Sequence, residues 1–232
     1  MSGAVELQLF EDGCDEPAQV SVTVDSLIIA GWTGRDADAI EEHIAELEAI
    51  GVPRPGTVPC FYRVAASLLT TSGMIEVPGA DSSGEVEFVL YGAAGGMLVG
   101  VGSDHTDRKV ETYSITVSKQ MCAKPVATAA WRHAEVAGHW DELMLRSWAV
   151  EGGDRRLYQE GPVSAMRMPG DLIARHFDGA GELPAGAAMF CGTLAVRGDV
   201  AAADRFELEL EDPVLNRRIR HGYDVRSLPI ED

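Results

Sequence analysis

Cysteine, histidine and basic residues are all scarce in this chain of 232 residues. Its four cysteines, Cys14, Cys60, Cys122 and Cys191, are widely spaced and form no C-x-x-C pair. That excludes a disulfide framework or cysteine zinc site and leaves reduced thiols, expected as small apolar filler in a cytoplasmic protein. The six histidines show no His-x-His spacing, so a barrel with a histidine-ligated metal is not expected. Only 19 Lys and Arg stand against 37 Asp and Glu, a formal net charge of −18. Nucleic acid binding requires cationic side chains to displace counterions, and anionic membranes attract the same groups, so both partners are excluded. The opening residues Met1–Glu6 lack a basic and then apolar leader pattern, so no secretory signal is expected. The longest apolar run is interrupted by glycines and is too short to span a bilayer. There is no internal repeat and no low-complexity tail.

What is present is a series of short β-branched and alternating segments punctuated by Gly and Pro. Val5 to Phe10 and Gln19 to Ile29 read as strands, joined as a hairpin around Asp12-Gly13. Ile40, Ile44, Leu47 and Ile50 recur at helical steps, predicting a helix over residues 36–50 that Gly51 and Pro53 stop. Further strands are expected at Cys60–Val64, Ile75–Val77, Glu85–Leu90, Met97–Val101, Trp140–Val150, Ala187–Cys191 and Phe206–Leu210. A helix capped by Thr106 or Asp107 should follow Asp104, and another should follow Pro169-Gly170-Asp171. In Phe206–Leu210 the flanking Glu207, Glu209 and Glu211 read as a solvated face. The composition can bury one sizeable core. The expected class is α+β, mainly β, a barrel, roll or sandwich with a few peripheral helices, as a single domain over 1–232 in which residues 1–30 form N-terminal strands or an appendage to 31–232.

The pattern that carries chemistry is Gly84-Glu85-Val86-Glu87-Phe88, followed by Gly102-Ser103-Asp104-His105. Residues i and i+2 of a strand share a face, about 6.6 Å apart at Cα. Glu85 and Glu87 therefore stand side by side, with Val86 and Phe88 facing into packing. Adjacent carboxylates repel and raise each other's pKa unless a cation lies between them. With Asp104 as a third oxygen ligand, the trio suits a hard divalent ion such as Mg²⁺ or Mn²⁺. His105 reads as a packing histidine.

In this order the motifs resemble the fumarylacetoacetate hydrolase superfamily. Gly84-Glu85-Val86-Glu87-Phe88 is similar to its Glu-x-Glu strand, and Ser103-Asp104-His105-Thr106-Asp107-Arg108 to its Asp-x-x-Ala-Arg-type motif. Ser118-Lys119-Gln120-Met121 with Ala123-Lys124-Pro125 resembles its lysine segment, and Cys191-Gly192-Thr193 its Gly-Thr-Pro, with Leu194 in place of proline. Gly34-Arg35 with His43-Ile44-Ala45-Glu46 resembles its lid. The resemblance implies a β-roll, usually a homodimer, that holds Mg²⁺ or Mn²⁺ (Ca²⁺ as a stand-in in crystals) at Glu85, Glu87 and Asp104. It further implies metal-assisted hydrolysis, hydration or decarboxylation of a small 2-oxo acid such as an acylpyruvate, through a stabilised enolate.

On that resemblance His43 and Glu46, at i and i+3, form a water-activating dyad, and Lys119 polarises the substrate carbonyl. Arg108 either binds the substrate carboxylate or pairs with Asp107 or Glu111. Gly192 and Thr193 offer an N–H and a hydroxyl to substrate, with Gln159 lining the pocket. The rival expectation is a non-catalytic β-roll binding a small carboxylate, its metal site degenerate.

Overall fold

A computed structural model describes residues 3–11, 13, 16–49 and 54–230, without the side chains of Ala4, His43, Glu46 and Leu47. Cys14, the turn residue Asp12 and the helix-stopping Gly51 and Pro53 lie outside the described residues. Cys60, Cys122 and Cys191 are free thiols, the last two buried.

Thirteen strands form the two main sheets among the described residues. They are β1 (Gly3–Leu9), β2 (Ala18–Val24), β3 (Ser26–Gly31), β4 (Cys60–Val64), β5 (Met74–Pro78), β6 (Val86–Tyr91) and β7 (Leu98–Ser103). The chain continues through β8 (Ala129–Arg132), β9 (Met144–Glu151), β10 (Asp154–Pro162), β11 (Ala187–Thr193), β12 (Arg205–Asp212) and β13 (Arg217–Leu228). The helices are α1 (Ala37–Ala49), α2 (Arg108–Glu111), α3 (Ile115–Met121), α4 (His133–Val136) and α5 (Pro169–His176). An eight-stranded sheet runs in the order β2-β1-β8-β7-β6-β11-β3-β4, and a five-stranded sheet in the order β10-β9-β12-β13-β5. Residues expected as an N-terminal appendage are woven into the larger sheet, with β3 between β11 and β4.

Apolar side chains explain the layering. β6 is buried on both faces, as a central strand must be when each face has a core to meet. Val86, Phe88 and Leu90 share a core with Leu145, Phe206 and Leu208 of the smaller sheet. Val89 and Tyr91 point the other way, into a cluster holding Val22 and Val24 of edge strand β2 and Val64 of edge strand β4. One core thus touches both edges and the centre of the eight-stranded sheet, which curls into a roll. Among the described residues no helix is long and apolar enough to cross a membrane.

Local chemistry sets the helix starts. The Asp36 carboxylate accepts from the N–H of Asp38 and of Ala39 (3.0 and 3.1 Å), starting α1. Asp107 accepts from Val110 N–H at 2.8 Å and Ser114 from Val117 N–H at 3.4 Å, capping α2 and α3. Two expectations need correction. The strand expected from Trp140 begins at Met144, because residues 137–142 form a 3₁₀ turn that packs Trp140 edge-on to Phe88 at 5.0 Å. Glu207, Glu209 and Glu211 are not a solvated face. The register sets Glu209 opposite Arg146 and Arg220, and Glu211 opposite Arg218. Glu209 pairs with Arg146 (3.0 Å) and Arg220 (2.7 Å), Glu207 pairs with Arg155 (2.7 Å), and Glu211 pairs with Arg146 and Arg218.

Candidate functional site

The pairing of β6 with β7 matches Val86 to Ser103 and Glu87 to Gly102. One step beyond, the N–H of Asp104 donates to the Glu85 carbonyl at 3.0 Å. Asp104 is thus the cross-strand neighbour of Glu85, and Glu87 sits two residues along from Glu85 on the same face. All three acids turn to the concave side of the roll, where one carboxylate oxygen from each lies within 4.8 Å of the others. Glu87 and Asp104 are buried, at 2% and 0% exposure, and Glu85 is half-buried. The expected trio is brought together.

Each carboxylate has one oxygen tied to a donor. The Glu85 Oε1 pairs with Arg108 Nη2 at 3.0 Å. The Glu87 Oε2 accepts from Gly192 N–H at 2.6 Å. The Asp104 Oδ1 lies 2.8 Å from Lys124 Nζ, which also donates to the His105 carbonyl at 2.6 Å. Lys119 reaches in from α3, its Nζ 2.5 Å from Asp104 Oδ2 and 3.5 Å from Glu85 Oε2, with the Tyr62 ring centre 5.9 Å away. Arg108, Gly192 and Lys124 each fix one carboxylate oxygen, as supporting groups orient metal-binding carboxylates, and Lys119 lies against the other oxygens of Asp104 and Glu85.

The electrostatics follow this geometry. Burial first, and then Asp104 and Glu85, push the Glu87 pKa well above the ordinary carboxylate range. Burial alone would raise Asp104 as well, but Lys119 and Lys124 outweigh it and pull that carboxyl down to about 2. Burial disfavours the Lys119 ammonium, yet Asp104 and Glu85 more than compensate and hold it charged. Behind the acids, His105 is bonded through both ring nitrogens, to Tyr223 Oη (3.1 Å) and Ser82 Oγ (2.9 Å), and is a packing residue as expected. Burial lowers its pKa to about 3, so it stays neutral. Tyr223 passes the network on to Ser103 Oγ at 2.8 Å, which accepts from Glu85 N–H at 3.1 Å.

The residues expected to bind substrate are largely engaged inside the protein. Arg108 spans Glu85, Glu111 (2.9 Å) and Ser83 Oγ (2.7 Å), so of the two roles expected for it the internal pairing is realised. Gln159 is fully buried: its Oε1 accepts from Val86 N–H (2.9 Å) and Ser147 Oγ (3.0 Å), and its Nε2 donates to Thr193 Oγ1 (2.8 Å) and the Leu194 carbonyl (2.6 Å). The Thr193 hydroxyl donates to the Val86 carbonyl at 2.8 Å. Gly192 gives its N–H to Glu87 rather than to a ligand. Arg108 and Gly192 thus hold Glu85 and Glu87, while Gln159 and Thr193 bond to the Val86 backbone between them. Arg35 forks onto Asp141 (2.8 Å to each oxygen), next to the start of α1. The side chains of His43 and Glu46 lie outside the described residues. Lys124 and Tyr62 were missed. The only signal was that Lys124 precedes a proline in the lysine segment and that Tyr62 lies in a strand ending a Pro-rich loop.

An all-carboxylate donor set in a buried corner fits a hard divalent ion, which Glu85, Glu87 and Asp104 would hold. Neither the broad groove of about 740 Å³ on the Arg/Glu face of the smaller sheet nor a hollow of about 260 Å³ beside Arg132 and His133 touches these acids.

Residues 30–223 match a family described as "Protein of unknown function (DUF2848)". No curated protein matches the chain. Among solved structures it is similar to a Burkholderia cenocepacia protein described as a fumarylpyruvate hydrolase (21% identity, TM-score 0.62, covering 99% of this chain and 96% of that one). It is also similar to a yeast fumarylacetoacetate hydrolase family protein (18%, 0.63, 90% and 95%). A third similar structure is 2-keto-3-deoxy-D-arabinonate dehydratase (15%, 0.62, 88% and 74%). The chain has the fumarylacetoacetate hydrolase fold, mainly β with few helices.

Proposed function

Because this chain belongs to the DUF2848 family and folds as the fumarylacetoacetate hydrolases do, we propose that it is a divalent-metal-dependent enzyme acting on a small 2-oxo acid. The observation that carries this reading is the convergence of Glu85, Glu87 and Asp104 within 4.8 Å beside the buried ammonium of Lys119. Two of the similar proteins are named for fumarylpyruvate and for a 2-keto sugar acid, and both compounds carry a 2-oxo carboxylate. A bound Mg²⁺ or Mn²⁺ supplies Lewis acidity toward such a carbonyl.

The chain's own residues do the rest. Glu85, Glu87 and Asp104 hold the ion; Arg108, Gly192 N–H and Lys124 fix their orientation. Lys119 directs a positive charge at the developing enolate oxygen. His43 and Glu46 on α1 take a proton from water, giving hydrolysis of a diketo acid; with that dyad idle, the same stabilised enolate supports hydration or decarboxylation. A cytoplasmic homodimer belongs to this reading.

The test is a turnover screen over acylpyruvates, oxaloacetate and hydroxylated 2-oxo diacids with Mg²⁺ or Mn²⁺, with Glu85→Ala as control. Metal-dependent turnover lost in Glu85→Ala supports the proposal. Turnover that Glu85→Ala retains removes the carboxylates from the mechanism, and tight binding without turnover favours a non-catalytic carboxylate-binding protein.

A further inference from the structure

The two lysines around Asp104 are held in different ways. Lys124 is fully buried and is pinned twice, by Asp104 Oδ1 at 2.8 Å and by the His105 carbonyl at 2.6 Å. Its backbone is pinned as well, because residues 124–125 pair with residues 69–70 as a short parallel bridge. Lys119 rides on the seven-residue helix α3, and its ammonium is held by the carboxylates of Asp104 and Glu85 beside the Tyr62 ring, with no backbone carbonyl bonded to it among the described residues. Those carboxylate atoms, Asp104 Oδ2 and Glu85 Oε2, are the ones left over once Arg108 and Lys124 have taken the others. They are therefore the oxygens a divalent ion would need.

We propose that Lys119 and the divalent ion compete for the inward oxygens of Asp104 and Glu85, so that ion binding releases the ammonium toward Tyr62, where it becomes available to substrate. This rests on the metal reading above. An ammonium and a dication cannot both sit against one carboxylate oxygen in a buried, weakly screened corner without strong repulsion. The stem of lysine has four rotatable carbons, so its charge can step aside while the acids stay in place. The Tyr62 ring, whose centre is 5.9 Å from the ammonium, gives the displaced charge an aromatic face to rest on. Lys124, pinned through side chain and backbone, keeps its place and continues to orient Asp104. Loading of the site and arming of its lysine thereby become a single event, and Lys119 acts both as a placeholder for the ion and as a substrate-facing charge.

The experiment titrates chelator-stripped wild type, Lys119→Met and Lys119→Arg with Mn²⁺, reading the free ion by electron paramagnetic resonance. Removing a competing charge-assisted contact should tighten Mn²⁺ binding at least about tenfold in Lys119→Met, and Lys119→Arg should bind no tighter than wild type. Equal or weaker binding by Lys119→Met, with wild-type binding intact, overturns the competition and leaves the metal reading standing. Absence of Mn²⁺ binding in all three proteins removes the metal reading and the competition with it. If Lys119→Met does not fold, lysine acetylation of the wild type decides, read by mass spectrometry with Lys124 as internal reference. Saturating Mg²⁺ should raise Lys119 labelling several-fold; unchanged or reduced labelling overturns the proposal.

Discussion

Gly192 offers the sharpest structural test, because three independent features meet there. The pairing of β11 with β6 slips between Phe190 and Thr193. The slip turns Gly192 to φ +99° and aims its N–H at Glu87 Oε2, 2.6 Å away. A Cβ at this position would lie 1.7 Å from Thr33 Oγ1 and 3.0 Å from Thr33 Cβ, and Thr33 is itself buried. In Gly192→Ala the positive φ costs about 1–3 kcal/mol, and forcing Thr33 aside costs about another 1–3 kcal/mol. For a chain of this size the sum lowers Tm by roughly 5–20 °C. Gly198→Ala is the matched control, since its φ is +86° with nothing within 4 Å of the added methyl; it should show the backbone part of the loss alone. Thermal melts by circular dichroism measure both. Mn²⁺ affinity should fall in Gly192→Ala and not in Gly198→Ala, because only the first re-aims a donor on Glu87. If Gly192→Ala melts within about 2 °C of wild type, or no lower than Gly198→Ala, the reasoning about this strand is wrong.

Glu87→Gln should separate stability from binding. The unfolded chain ionises Glu87 near its ordinary value of 4.5, whereas burial and its acidic neighbours hold the proton on in the fold to higher pH. Ionisation therefore favours the unfolded state as pH rises past 4.5, and the neutral glutamine removes that penalty. Melts in chelator at pH 8 should show a Tm equal to or above wild type, with cation binding lost; a lower Tm contradicts the assignment. By the same linkage, ion binding must expel the Glu87 proton. Apparent affinity should thus climb with pH by up to about tenfold per unit until Glu87 ionises freely. Calorimetry in two buffers of different ionisation enthalpy would detect the released proton, and pH-independent binding over roughly pH 5.5–8 speaks against it. Gln159→Leu deprives Val86 N–H, the Leu194 carbonyl and the Ser147 hydroxyl of the partner each has in Gln159, while the Thr193 hydroxyl keeps its bond to the Val86 carbonyl. At about 1–3 kcal/mol per stranded buried group, urea unfolding should show a loss of at least about 3 kcal/mol. A loss confined to substrate KM would restore Gln159 to the pocket.

The convergence of Glu85, Glu87 and Asp104 could be read from the sequence because strand geometry places the three acids together. Glu85 and Glu87 share a face by alternation, and the short turn over residues 92–97 folds the next strand back so that Asp104 lies across from Glu85. The helix starts were legible for a similar reason, since Asp36 and Asp107 are capping residues immediately before the first helical turns. What stayed hidden depends on contacts between segments distant in the chain. Nothing local to Gln159 reveals that Val86 and Leu194 converge on its amide. Arg108 carried two readings, and the choice between them rests on Glu85, 23 positions earlier, approaching to 3.0 Å. The Glu207-Glu209-Glu211 row looked solvated because alternation marks an outward face without naming what lies opposite, here arginines of β9 and β13. Lys124 resembled an unremarkable charge before a proline, yet it is buried completely against Asp104.

The central claim is that three acids from two adjacent strands hold one divalent ion. Equilibrium binding of Mn²⁺ to the stripped protein tests it most directly, with Glu87→Gln alongside. One ion per chain in the wild type, displaced by Mg²⁺ and absent in Glu87→Gln, is the expected result. A wild type that takes up no Mn²⁺, or a Glu87→Gln protein that binds as well as wild type, would contradict it.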